Sequence, residues 1–132
     1  LKNPEITGKQ KTSFACKIAD ALKYLESKNI SHHNLDSSNI VIDKDDNPLI
    51  IDFGQAAHGK NNATLDKSDD LYAFSMILTE MLTGQTNPQE IPTDTEGIDQ
   101  KLIEIIKNGY QTNRKTFEEI CNIMDNYHVS FP

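Results

Sequence analysis

The chain has 132 residues, of which 36% are hydrophobic and 25% charged, and its formal net charge is −7. That length suits one domain, residues 1–132, with a real core, and the mix is globular rather than disordered. The acidic balance and the apolar runs exclude two partners: there is no basic stripe for nucleic acid, and no stretch long enough to span a membrane.

The chain starts at Leu1 rather than Met, which points to a piece of something longer, and no secretory signal is visible. Thr7 and Gln10 stand three apart, the spacing of a capping box. They open a helix over residues 9–27 on which Phe14, Ile18, Leu22 and Leu25 recur at helical spacing. A polar loop follows, then two short β-branched runs, 40–42 and 49–51, around the turn signal Asp45-Asp46-Asn47-Pro48. If these runs pair as a hairpin, Asn39 and Asp52 emerge at the same end of it. An amide oxygen and a carboxylate brought together there suit a hard cation such as Mg²⁺ held against phosphates. Asp43, Asp45 and Asn47 also imitate the start of a calcium loop. That reading fails because Pro48 stands where the sharp turn needs Gly, and Gly54 where the bidentate Glu belongs.

Residues 55–69 read as an exposed polar loop around Gly59-Lys60-Asn61-Asn62. From Asp70 the chain turns helical. Leu71, Tyr72, Phe74, Met76, Ile77, Leu78, Met81 and Leu82 leave little of the circumference polar, which predicts a buried helix stopped at Gly84. Residues 85–97 read as a loop. An amphipathic helix over 98–108 carries Ile98, Leu102, Ile105 and Ile106 on one face and ends at Gly109. A second capping box, Thr116 with Glu119, opens the last helix, which buries Phe117, Ile120, Cys121 and Met124. Cys16 and Cys121 sit in apolar helical patterns and read as buried thiols of a reducing compartment. Without a secretory signal, the glycosylation patterns at Asn29 and Asn62 read as chance.

His32-His33-Asn34-Leu35-Asp36-Ser37-Ser38-Asn39, followed by Asp52-Phe53-Gly54, resembles the catalytic loop H-R-D-L-x-x-x-N and the D-F-G of the protein kinase family. The helix before the loop, the helix from Asp70, and Asn113-Arg114-Lys115-Thr116-Phe117-Glu118-Glu119-Ile120 are similar to that family's segments in the same order. The resemblance implies a mainly α fold with a small β-hairpin, a protein-kinase-like C-terminal lobe. It also implies ATP and Mg²⁺ as cofactors, with Asn39 and Asp52 as the cofactor- and metal-binding residues. Asp70 would hold the loop backbone near His32, and Arg114 would be structural.

Several parts of the family's pattern are missing. Asn34 stands at the catalytic base position, and an amide cannot take a substrate hydroxyl's proton as a carboxylate does. Asp36 is a conceivable but poorly placed substitute. His32 is expected to hold the loop rather than to act as acid or base, and His33 to be solvated. No Gly-rich phosphate loop, strand lysine or full activation segment is present in the sequence. The expected function is therefore a catalytically impaired, pseudokinase-like module that binds or regulates a protein, such as a signalling protein or another kinase lobe. The alternatives are the C-terminal lobe of an active or atypical kinase, and a pathogen effector mimicking such a lobe. The expected location is the cytoplasm, or the host cytosol for an effector.

Overall fold

The hydrophobic periodicities resolve into four helices and two small ladders in a computed structural model that describes residues 7–55, 57–58, 70–84, 96–111 and 115–132. Arg114, Asn62 and most of the two loops expected after Gly54 and Gly84 lie outside the described residues. In chain order the elements are α1 (Gly8–Ser27), β1 (Ile30–Ser31), β2 (Ile40–Ile42), β3 (Pro48–Ile50), β4 (Ala57–His58), α2 (Asp70–Thr83), α3 (Gln100–Gly109) and α4 (Phe117–Asn126). The fold is thus mostly helical with small antiparallel pairings, as the kinase-like resemblance implies.

Both capping boxes form. Thr7 accepts from the Gln10 backbone and Thr116 from the Glu119 backbone, and each partner's side chain reaches back to the cap's own N–H. These bonds satisfy backbone donors that a helix start otherwise leaves unpaired. Helix α2 is the axis of the core. Leu71, Phe74, Ile77 and Leu78 are buried against Ile18 and Leu22 of α1, Leu102 and Ile106 of α3, and Ile120 of α4. Phe74 meets Phe117 edge to face at 5.7 Å. Each such fully buried side chain contributes roughly 1.5–3 kcal/mol.

Gly84 follows α2 on a left-handed backbone (φ 72°), as a helix stop requires. Gly109 has a further reason to be glycine. It is the last residue of α3, and a Cβ there would lie 1.8 Å from Ser75 Oγ and 2.9 Å from the Leu71 carbonyl oxygen of α2. The helix ends there as expected, and the close approach of α3 to α2 adds the reason that the position must be glycine. Cys121 is buried, Cys16 half-buried, and both are free thiols. Burial, with Asp20 adding to it, pushes the Cys121 thiol up to about 12, and burial with Asp125 and Asp20 raises Cys16 too. Neither thiol has the lowered pKa of a reactive nucleophile.

Strands β2 and β3 pair antiparallel with Ile40 opposite Ile50, Val41 opposite Leu49 and Ile42 opposite Pro48. The second strand starts one residue earlier than the β-branched run suggests, because Pro48 needs no ladder N–H at a strand's first position. Asp43 closes the turn by accepting from the backbones of Asp45 (2.8 Å) and Asn47 (2.9 Å). The Asn47 N–H is the main reason its carboxyl sits below the ordinary range. The residues that imitate a calcium loop are thus engaged in making the turn. Lys17 of α1 ties the turn down through Asn47 Oδ1 at 2.8 Å. The β1–β4 ladder, Ile30 with His58 and Ser31 with Ala57, corrects the expectation that 55–69 is loop throughout. Two-residue pairings carry too little periodicity to be read from sequence.

Candidate functional site

The loop between β1 and β2 is held from beneath by the first residue of α2. Asp70 is 2% exposed, and its carboxylate accepts from the backbone N–H groups of His32 (2.8 Å) and His33 (3.1 Å). A buried carboxylate needs such donors, and charge-assisted bonds of this kind are stronger than neutral ones. The bond to His33 fixes a residue on a left-handed backbone (φ 67°). Non-glycine residues reach that region at a cost, so the surrounding bonds must hold it there.

His32 is fully buried, and both ring nitrogens are engaged. Nε2 lies 2.8 Å from the Ile51 carbonyl, and Nδ1 accepts the Asn34 N–H at 3.1 Å. A nitrogen facing a carbonyl must donate and one facing an N–H must accept, which assigns the neutral tautomer with its proton on Nε2. The ring therefore joins the loop to the end of β3 and has no nitrogen left for a substrate. Phe53 packs edge to face on it at 4.7 Å.

Asn39 and Asp52 emerge at the same end of the hairpin, where the Ile51 N–H donates to the Asn39 carbonyl at 2.8 Å. The Asn39 side chain donates through Nδ2 to the Asn34 carbonyl at 2.5 Å. Asp52 sits at the surface on a left-handed backbone (φ 63°), and its Oδ2 lies 3.3 Å from Asn34 Nδ2. Thus Asn34, Asn39 and Asp52 form one polar cluster, with His32 and Asp70 beneath it. Asp36 is turned away from this role. Its Oδ1 accepts from both the backbone and the hydroxyl of Ser38, closing the short turn Ser37–Asn39.

The cluster's donor set fits a resident Mg²⁺ poorly. Magnesium takes oxygen ligands in near-octahedral geometry. Here Asp52 is faced by an N–H donor at the position where a second carboxylate would add charge. A cleft of about 300 Å³ opens between the loop and α2, floored by Leu35, Ala73, Met76 and Ile77 and carrying the carboxylates of Asp36 and Glu80.

Two features of this surface are not carried by any motif. One is the outer face of the hairpin. Val41, Leu49 and Ile51 project away from the core, each 41–48% exposed, while Ile40 on the opposite face is buried. Strict alternation would have placed polar residues there, and the sequence signal is its absence in an all-apolar run. The other is the Asn34–Asp52 hydrogen bond, a contact across eighteen positions.

A profile of the protein tyrosine and serine/threonine kinase family matches residues 1–69. The chain is similar to a probable serine/threonine-protein kinase of Dictyostelium discoideum, 30% identical over 105 residues, covering 65% of this chain and 8% of the relative. It is similar to a probable serine/threonine-protein kinase of Arabidopsis thaliana, 24% identical over 145 residues, with 92% and 36% covered. A probable inactive receptor kinase of the same plant is 30% identical over 109 residues, with 67% and 16% covered. The chain therefore spans about a third or less of the length of these relatives. No helix among the described residues is long and apolar enough to cross a membrane.

Proposed function

Because the chain belongs to the protein tyrosine and serine/threonine kinase family, we propose that it is a catalytically impaired kinase-like lobe that works as a protein-binding module. The exposed apolar face of the hairpin, Val41, Leu49 and Ile51, carries this reading. Grouped apolar side chains beside a polar site are the usual mark of a contact surface. Leu49 and its neighbours are not needed to close the core, since the hairpin's other face does that.

Asn34 supports the impairment. Kinases of this family transfer phosphate from ATP with Mg²⁺, and an aspartate base accepts the substrate hydroxyl's proton. The Asn34 amide has no comparable basicity, and Asp36 is committed to its own turn. The cleft beside Asp36 and Glu80 gives a protein partner an apolar floor with two carboxylates, which suits the aliphatic stem and cationic head of a lysine or arginine.

The test is crosslinking of a captured partner, followed by mapping of the linked positions. Wild type should crosslink through the hairpin, and Leu49→Lys with Ile51→Lys should abolish capture while leaving the fold intact. Capture that survives this double substitution, with crosslinks elsewhere, would contradict the reading. The short span of the chain on its relatives favours a second reading, a C-terminal lobe within a longer kinase that phosphorylates protein. Phosphoryl transfer by a longer product, abolished by Asp52→Ala, would separate that case from the first.

A further inference from the structure

We propose that the Asn34 carboxamide stands in the place of a divalent cation at Asp52, so that this loop is closed by an internal hydrogen bond and takes no resident metal. The carboxylate 3.3 Å away requires a donor, so the amide presents its NH₂ and not its oxygen. The backbone of Asn34 has no freedom to withdraw. Its N–H is held by His32 Nδ1 at 3.1 Å and its carbonyl by Asn39 Nδ2 at 2.5 Å. His32 in turn hangs from Asp70 and Ile51. A continuous set of hydrogen bonds therefore runs from the buried floor to the exposed Asp52 and ends on the Asn34 amide.

Charge points the same way. An amide facing one carboxylate gives the pair a formal charge of −1, where two carboxylates would give −2. The donor's partial positive end lies at Asp52 Oδ2, so amide and ion compete for that oxygen. Among the described residues, no group of three His, Cys, Asp or Glu side chains could hold a metal ion. The loop's closure is independent of what docks on the hairpin face.

The test uses this chain, with MgCl₂ and MnCl₂ as probes at matched ionic strength. Between no cation and about 10 mM MgCl₂ the wild-type melting temperature should move by less than about 1 °C. Asn34→Asp, which sets two carboxylates against each other, should melt lower without cation and recover by several degrees with it. Manganese should leave the wild-type amide resonances of Asn34, Asn39 and Asp52 unbroadened. A wild-type rise of several degrees that Asp52→Ala removes would overturn the proposal, as would selective broadening at those three amides. So would an Asn34→Asp variant that stays indifferent to cation. If that variant fails to fold, the manganese spectrum of the wild type decides alone.

Discussion

Asp70 and Asp52 stand on opposite sides of one loop: the first is 2% exposed and takes two backbone N–H groups, while the second lies at the surface and meets a single amide at 3.3 Å. The first is built into the core, at the start of α2. The second contributes little to that core. A site arranged this way can change its chemistry at the rim without loosening its floor, because the two depend on different bonds. Asn34 illustrates the point. Its backbone is tied into the floor through His32, while its side chain faces only the rim.

The contrast is broken most directly at Asp70. Asp70→Ala leaves the N–H groups of His32 and His33 without their acceptor inside the protein, and should cost about 3 kcal/mol or more. Denaturant unfolding would read it, and a loss under about 1 kcal/mol would mean the floor is not held as described. Gly109→Ala comes next. Its Cβ meets the Ser75 side chain and the Leu71 carbonyl, so overpacking should cost about 1–3 kcal/mol. Ser75→Gly should recover only part of that, since the Leu71 carbonyl remains.

Thr116→Ala removes a helix cap, worth about 1 kcal/mol. Its pH dependence has a defined sign. The Thr116 backbone N–H, then its hydroxyl, hold the Glu119 carboxyl below the ordinary carboxylate range. A lowered folded pKa means the contribution is complete above the unfolded value and is lost as pH falls through the folded one. Thr116→Ala keeps that backbone donor and removes only the hydroxyl, so the gap between wild type and variant should narrow in acid by the hydroxyl's share alone, as thermal melts at pH 7 and below pH ~4 would show. Smallest of all is Asp52→Ala, which should change stability by no more than about 0.5 kcal/mol. A large loss there would erase the distinction between rim and floor.

Much of the floor is legible in the sequence. The capping boxes at Thr7 and Thr116, the all-round apolar helix from Asp70, and the common end of Asn39 and Asp52 follow from periodicity, spacing and turn chemistry. What is not legible depends on contacts between distant segments. Gly109 reads only as a stop signal because its further reason, Ser75 and Leu71 on another helix, lies more than thirty positions away. The hydrogen bond from Asn34 to Asp52 and the assignment of the His32 proton likewise require the folded geometry. The apolar row Val41, Leu49 and Ile51 reads as strand core until the structure shows that only the opposite face is covered.

We propose that a kinase-family scaffold persists here without its phosphoryl chemistry. The measurement that meets it most directly is transfer of the γ-phosphate of ATP, in Mg²⁺, to a general protein substrate by this chain and by Asp52→Ala. Wild type should transfer no more label than the variant. Transfer by the wild type that Asp52→Ala abolishes would contradict it.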